Sequence, residues 1–353
     1  MKKLLMLSLV AFFFYGCTGN QEKAKATKKS AETIKAENEL LQKAQALFKV
    51  LPNEAAKHDN ELTESKIKLG KILYYDNRLS MDETQSCNTC HNIATYGVDN
   101  LATSPGDNGI PGTRNSPTVF NAALKGAQFW DGRNADVEEQ AGGPILNPAE
   151  MAIPNEQFLI DRLKGVDIYT NLFSNAFPGE EDPLTYKNIR YAIAAFERTL
   201  LTPSAFDEFL SSNVDALSDH QKKGLKTFMD QGCIACHTGP LLGGNMLQKF
   251  ALFGDYWEHT ASEKIDYGKF EETKVETDKF MFYVPTLRNI EKTAPYLHDG
   301  SVADLNESIK IMAKTQLNKD LSEEEINDIA VFMSSLTGEI PLEASIIPVE
   351  LKN

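Results

Sequence analysis

The pattern Cys-x-x-Cys-His occurs twice in this chain, at Cys87, Cys90 and His91 and again at Cys233, Cys236 and His237. No other feature restricts the fold as strongly. Two thiols at this spacing with an imidazole directly after the second form the attachment signature of a c-type haem: the thiols add to the vinyl groups and the histidine becomes the proximal iron ligand. A zinc site needs four ligands, and a thioredoxin-like pair has no use for the histidine, so neither explains two identical sets. Two covalently bound haem c groups are expected, one for each half of the chain.

The two motifs use four of the five cysteines. The fifth, Cys17, closes "MKKLLMLSLVAFFFYGC", which has two lysines, an apolar run too short to span a bilayer as a mature helix, and small Gly16 before the cysteine. This reads as a signal peptide over residues 1–16 with a lipoprotein-type cleavage site, the alternative being an ordinary signal peptide cut nearby. A lipid on Cys17 would tether the protein to a membrane, and the expected location is the periplasm, since bacteria attach c-type haem outside the cytoplasm. The formal charge of −14 becomes −16 once Lys2 and Lys3 leave with the signal. An acidic surface of this kind disfavours nucleic acid and suits a basic redox partner.

The chain of 353 residues has room for two cores. Residues 17–45 are assigned to a lipidated N-terminus and flexible tether, of which "TGNQEKAKATKKS" is the most polar part; a helix-prone run extends from about Ala31 to Val50. The duplication then reaches beyond the cysteines. "KLGKILYYD" precedes the first motif and "KKGLKTFMD" the second, with Gly70 and Gly224 each six residues before an aspartate. Both read as amphipathic helices, the second opened by a capping box of Ser218 and Gln221. Later segments match as well: Ile193, Phe196 and Leu200 recur in spacing as Ile329, Phe332 and Leu336. Each half is therefore helix, haem motif, loops and closing helix, an order similar to that of class I cytochrome c domains. The expected fold is all-α, with two class I cytochrome c-like domains, long loops and one covalent haem in each. Pro203 divides a domain at residues 46–202 from one at 203–340, and residues 341–353 form a C-terminal tail. The Gly-, Pro- and Asn-rich loop at 103–118 is long for a connection and so expected to be functional.

The strings "QFWDGR", "EEQAGGPILNPAEM", "VPTLRNIEKTAPYLHDGSV" and "IKIMAKTQL", together with the two haem motifs, resemble the bacterial di-haem cytochrome c peroxidases from about residue 63 to 340. The resemblance implies that hydrogen peroxide is reduced to water with electrons from a small cytochrome c or cupredoxin. It makes the second half the electron-entry domain, with His237 as proximal and Met312 as distal ligand, a pair that raises the reduction potential. Met312 as a core filler is the structural alternative. The first half becomes the peroxidatic domain, with His91 as proximal ligand, Glu150 and Gln140 lining the distal pocket, and Glu150 moving a proton between the peroxide oxygens. Glu150 could instead be a solvated charge at a helix start. Trp130 matches the residue between the two haems, although a tryptophan among apolar neighbours also suits a core. Asn115, with the carbonyls of Thr293 and Pro295, matches an inter-domain calcium site. The family also implies a homodimer.

The chain departs from the resemblance in the first-half loop. Many relatives place a histidine there to cap the peroxidatic iron in the resting enzyme. Here the matching residue is Asp107, in a Gly-flanked setting read as flexible, and residues 92–129 contain neither histidine nor methionine. His58 is the only other histidine of the first half. The two motifs are thus expected to attach haem alike but to ligate it differently, with an open or water-filled position in the first half. Two rival readings are a di-haem electron-transfer cytochrome, with both irons capped, and a di-haem protein-oxidising maturation enzyme, which typically carries a tyrosine where Met312 stands.

Overall fold

The computed structural model describes residues 29–351, so the expected signal peptide, Cys17 and most of the tether lie outside the described residues. The fold is helix-rich; the one strand pair among the described residues is a short antiparallel ribbon joining Leu247–Lys249 to Met281–Tyr283.

Each half is built on one helix crossing, and in each a glycine sets the approach. In the first half the opening helix Glu64–Tyr75 meets the closing helix Tyr186–Glu197. A Cβ on Gly70 would lie 1.8 Å from the Ala192 carbonyl oxygen. In the second half Asp219–Gln231 meets Glu323–Ser334, and a Cβ on Gly224 would lie 2.0 Å from the Asp328 carbonyl. Only glycine lets two helix backbones come so close, which is why the residue recurs at the same place in both copies. The Ser218 and Gln221 capping box is present, with reciprocal bonds of 3.2 and 2.9 Å.

Two apolar cores follow. Leu69, Leu73, Ile189, Ile193, Phe196 and Leu200 anchor the first. Leu225, Phe228, Ile329, Phe332 and Leu336 anchor the second. Both predicted stripes are fully or almost fully buried, as their 3.6-residue period requires.

The chain ends depart from the expected domain plan. The helix Ala31–Leu47 does not belong to a tether, because Leu41, Ala44 and Phe48 are buried in the second core. Glu37 pairs with Lys222 at 2.6 Å where both are buried, and the Leu51 amide donates to Asp207 at 2.8 Å. Residues 31–51 therefore pack on the half that is distant in sequence. The tail behaves reciprocally. Ala344 enters the first core, Tyr75 Oη donates to its carbonyl at 2.9 Å, and Lys68 pairs with Glu350 at 2.9 Å. Each end of the chain straps onto the opposite half, an arrangement that local composition does not encode.

Between the halves, Thr202 Oγ1 accepts from Asn121 Nδ2 at 2.8 Å and from Asn289 Nδ2 at 2.9 Å. Arg288, fully buried, grips Asp207 with both ends of its guanidinium. Arg114 reaches across from the first half, bonding Asp131 at 2.5 Å and Asp266 at 2.6 and 2.9 Å. Burial lowers the guanidinium's pKa, but the two carboxylates outweigh it and hold the pKa above its ordinary value.

Candidate haem sites and the peroxide pocket

The two attachment motifs are reached differently. Gly232, at φ 95°, ends the second opening helix and delivers Cys233 directly as the next residue. In the first half the opening helix stops at Tyr75, and residues 76–86 intervene before a single helical turn, Cys87–Cys90. The Ser86 amide donates to Thr89 Oγ1 at 3.0 Å, and the Thr89 amide to the Ser86 carbonyl at 3.0 Å, which closes that turn.

The histidines share one chemical arrangement. His91 Nδ1 donates to the Pro117 carbonyl at 2.9 Å, and His237 Nδ1 donates to the Leu242 carbonyl at 2.8 Å. A carbonyl only accepts, so each ring carries its proton on Nδ1 and keeps a lone pair on Nε2 for a metal. Burial lowers both pKa values and favours the neutral ring. Tyr74 Oη steadies the first motif by donating to the His91 carbonyl at 2.6 Å.

A crevice of about 270 Å³ opens on the second motif, lined by Cys233, Cys236, His237, Met312, Trp130 and His298 among others. Met312 projects from the helix Leu305–Leu317 and packs against the Phe250, Tyr256 and Phe282 cluster. On the crevice wall, His298 Nε2 and Gln316 Oε1 are buried without a hydrogen-bond partner among the described residues. Buried polar atoms are normally paired, so these two mark a place where a bound group completes the structure. Two thiols, a neutral imidazole with a free lone pair, a thioether and apolar walls fit a covalently attached haem.

In the first half, burial raises the pKa of the Cys90 thiol, a bond to Ser104 opposes it, and the charges of Asp99 and, last, Glu150 add to the rise. Burial raises the pKa of Glu150 itself, opposed by a 2.8 Å hydrogen bond from Asn147 Nδ2 and by the charge of Arg133. Gln140 ends the short helix Val137–Gln140, which leads into the segment carrying Glu150. Trp130 instead lines the second-half crevice, its Nε1 donating to the Asn115 carbonyl at 2.9 Å. Asn115, Thr293 and Pro295 all line this crevice too, and neither the Thr293 nor the Pro295 carbonyl accepts a hydrogen bond among the described residues.

Asp107, expected to sit in a flexible setting, is bonded through both its backbone and its carboxylate. Its tongue is closed by Gly106 N to Ile110 O at 2.8 Å and Gly112 N to Ser104 O at 2.8 Å. The Asp107 amide donates to the Glu150 carbonyl at 2.7 Å. Its carboxylate accepts from Asp82 N at 2.6 Å and Thr84 Oγ1 at 2.5 Å, so both oxygens are engaged by the stretch that separates opening helix from motif. Desolvation raises its pKa, but these bonds prevail and hold it below the ordinary carboxylate value. At Gly106 a Cβ would lie 2.3 Å from the Ala149 carbonyl, which leaves no slack on that side.

Three functional candidates escaped the sequence reading: His298, Lys125 and Glu197. A signal existed for two of them. "PTVFNAALKGAQFWDG" and "PTLRNIEKTAPYLHDG" form a second internal repeat at an offset of 168 residues, which equates Asn121 with Asn289, Lys125 with Thr293 and Trp130 with His298. The structure repeats the turns: Gln128 bridges Asn134 and Tyr296 bridges Val302 at the same offset. Trp130 and His298 meet edge to face, ring centres 6.4 Å apart. Glu197 gave no such signal; it is buried at the end of its helix near Cys87, and desolvation lifts its pKa to about 8.

Two stations of thiol pair and neutral imidazole, each set in its own helical core, define a protein of the di-haem c type. The family model for di-haem cytochrome c peroxidase matches residues 64–215. The cytochrome c551 peroxidase of Pseudomonas aeruginosa is 43% identical over 310 residues, covering 86% of this chain and 88% of the relative. That of Nitrosomonas europaea is 41% identical over 276 residues, with 78% and 80% covered. Among solved structures, a MauG-like protein associated with microbial copper homeostasis superposes with a TM-score of 0.74 at 27% identity, covering 85% of this chain and 97% of that one. The chain belongs to the di-haem cytochrome c peroxidase family.

Proposed function

We propose that this enzyme, a cytochrome c peroxidase, divides its work between the halves: electrons enter at the second motif and hydrogen peroxide is reduced at the first. The overall reaction takes one H2O2, two electrons and two protons to two waters. When bound, the haem groups supply the redox-active iron. The carrying observation is the asymmetry around two equivalent imidazoles. Met312 shares the crevice of His237, whereas in the first half Glu150 is bonded through its carbonyl to the Asp107 amide and no histidine or methionine lies in residues 92–129.

His91 and His237 would hold the two irons through Nε2, and Met312 would complete the second. Glu150, its pKa raised by burial, is suited to hold a proton and pass it between the oxygens of bound peroxide. Gln140 orients peroxide beside it, and Trp130 stands on the route between the stations. Asn115, Thr293 and Pro295 would bind calcium, hard oxygen donors being its usual ligands. Each half takes the class I cytochrome c arrangement, with residues 46–202 peroxidatic and 203–340 electron-entering, apart from the strapped chain ends. The donor is a small cytochrome c or cupredoxin, the protein is a periplasmic homodimer, and a lipid on Cys17 anchors it. No helix among the described residues is long and apolar enough to cross a membrane.

Electron paramagnetic resonance of the oxidised, haem-loaded protein tests the division. One high-spin and one low-spin haem, with only the high-spin signal changed by peroxide, is the expected result. Two low-spin haems inert to peroxide would overturn it in favour of an electron-transfer cytochrome.

A further inference from the structure

Lys125 has no role in the scheme above, and its surroundings are unusual for a lysine. It follows the turn Ala122–Leu124, its amide donating to the Ala122 carbonyl at 3.0 Å. The next amide, of Gly126, donates across the seam to the Gly244 carbonyl at 2.8 Å. The Lys125 stem lies against that same loop, since a Cβ on Gly244 would come within 3.3 Å of Lys125 Cγ. This is the loop whose Leu242 carbonyl fixes His237. In the first half, the charge of Lys125 acts weakly on His91 and on Glu197. Lys125 is thus a first-half residue on the wall of the crevice that holds the second motif.

Its ammonium group has no hydrogen bond or ion pair among the described residues, and burial pushes its pKa down to about 8. Glu197 exerts an attraction on it, but desolvation pushes the pKa of Glu197 itself up to about 8, which favours its neutral form and weakens that attraction. Lys125 is half-buried on the crevice wall, and a partly desolvated cation without a counter-charge is costly. The 168-residue repeat equates Lys125 with Thr293, whose carbonyl is a proposed calcium ligand. The two halves would then present a built-in cation at one repeat position and a bound cation at the other. A haem carries two propionate carboxylates, the counter-charge that such a crevice lacks.

Building on the di-haem reading, we propose that Lys125 is a haem-carboxylate-binding residue: its ammonium pairs with a propionate in the crevice between the halves and, as a fixed positive charge, favours the reduced haem. The test uses the haem-loaded protein and three variants, Lys125→Met, Lys125→Gln and Lys125→Arg. Haem content by pyridine haemochrome comes first, then spectroelectrochemical titration of both haems. Removing the charge should lower the ferrous-to-ferric ratio at a given applied potential about tenfold for at least one haem, a shift of about 59 mV for a one-electron couple. Lys125→Arg should stay near wild type. Wild-type potentials in loaded Met and Gln variants would overturn the proposal. Failure of the two neutral variants to load, with Arg loading normally, supports it. Failure of all three overturns it, because shape and not charge would then be required. A wild-type chain that takes up no haem would overturn the di-haem reading, and this proposal with it.

Discussion

Replacing Asp107 with alanine should free the first-half tongue without unfolding the protein. The carboxylate accepts from Asp82 N and Thr84 Oγ1, and hydrogen bonds to a charged acceptor contribute about 1.5–3 kcal/mol each. Because the pair is near the surface, we discount the sum to about 2 kcal/mol. At about 1.4 kcal/mol per tenfold, tongue opening should become roughly 30-fold more frequent. Hydrogen exchange followed by mass spectrometry reads this at residues 104–112, where the amides of Gly106, Asp107 and Gly112 are bonded in the closed state. The pH dependence has a definite sign. A carboxylate whose folded pKa is lowered stabilises fully above its unfolded value, near 3.9, and the stabilisation is lost as pH falls through the lower folded value. Protection relative to intrinsic exchange should therefore be flat at neutral pH and fall below about pH 4 in the wild type only. Unchanged protection in Asp107→Ala would show that the backbone bonds alone hold the tongue. A functional arm follows. With Asp107 committed to this latch, stopped-flow mixing should show peroxide reacting with the fully oxidised wild type, and reaction only after half-reduction would mean that another ligand closes the first iron.

Glu150→Gln should leave haem spectra nearly intact and reduce turnover about 100- to 10,000-fold; full activity in a loaded variant would remove Glu150 from proton transfer. Met312→His should lower the potential of the second haem, since imidazole lacks the thioether's preference for ferrous iron, and redox titration would expose an unchanged value. Gly224→Ala places a methyl group 2.0 Å from the Asp328 carbonyl and should destabilise by about 1–3 kcal/mol or more, measured by urea unfolding of the loaded protein. A loss below half a kcal/mol would mean that the crossing has room to relax.

The attachment motifs, the recurrence of Gly70 and Gly224 and the two buried stripes were legible in the chain, because fixed ligand spacing, internal repetition and helical periodicity are all written along it, whereas the close helix approach that the glycines permit is made with Ala192 and Asp328, far away in sequence. The His/Met division of the second half came through resemblance and became a shared crevice once Met312 and His237 were seen on its walls. Other features depended on distance in sequence. Glycines around Asp107 suggested mobility, yet the partners that pin it lie 23 and 25 residues earlier, a pairing no local pattern encodes. The N-terminal segment was legible as a helix-prone run but not which core would bury it, and the second core, formed largely by residues beyond 200, took it. The 168-residue repeat was written in the sequence all along. Its meaning was not: that Trp130 meets His298, and that Lys125 stands on the wall of the crevice that holds the second motif, follows only from folding the halves face to face. Spacing determines what a segment can bind, whereas the charge and the partner that a buried side chain experiences are set by whatever the rest of the chain brings against it.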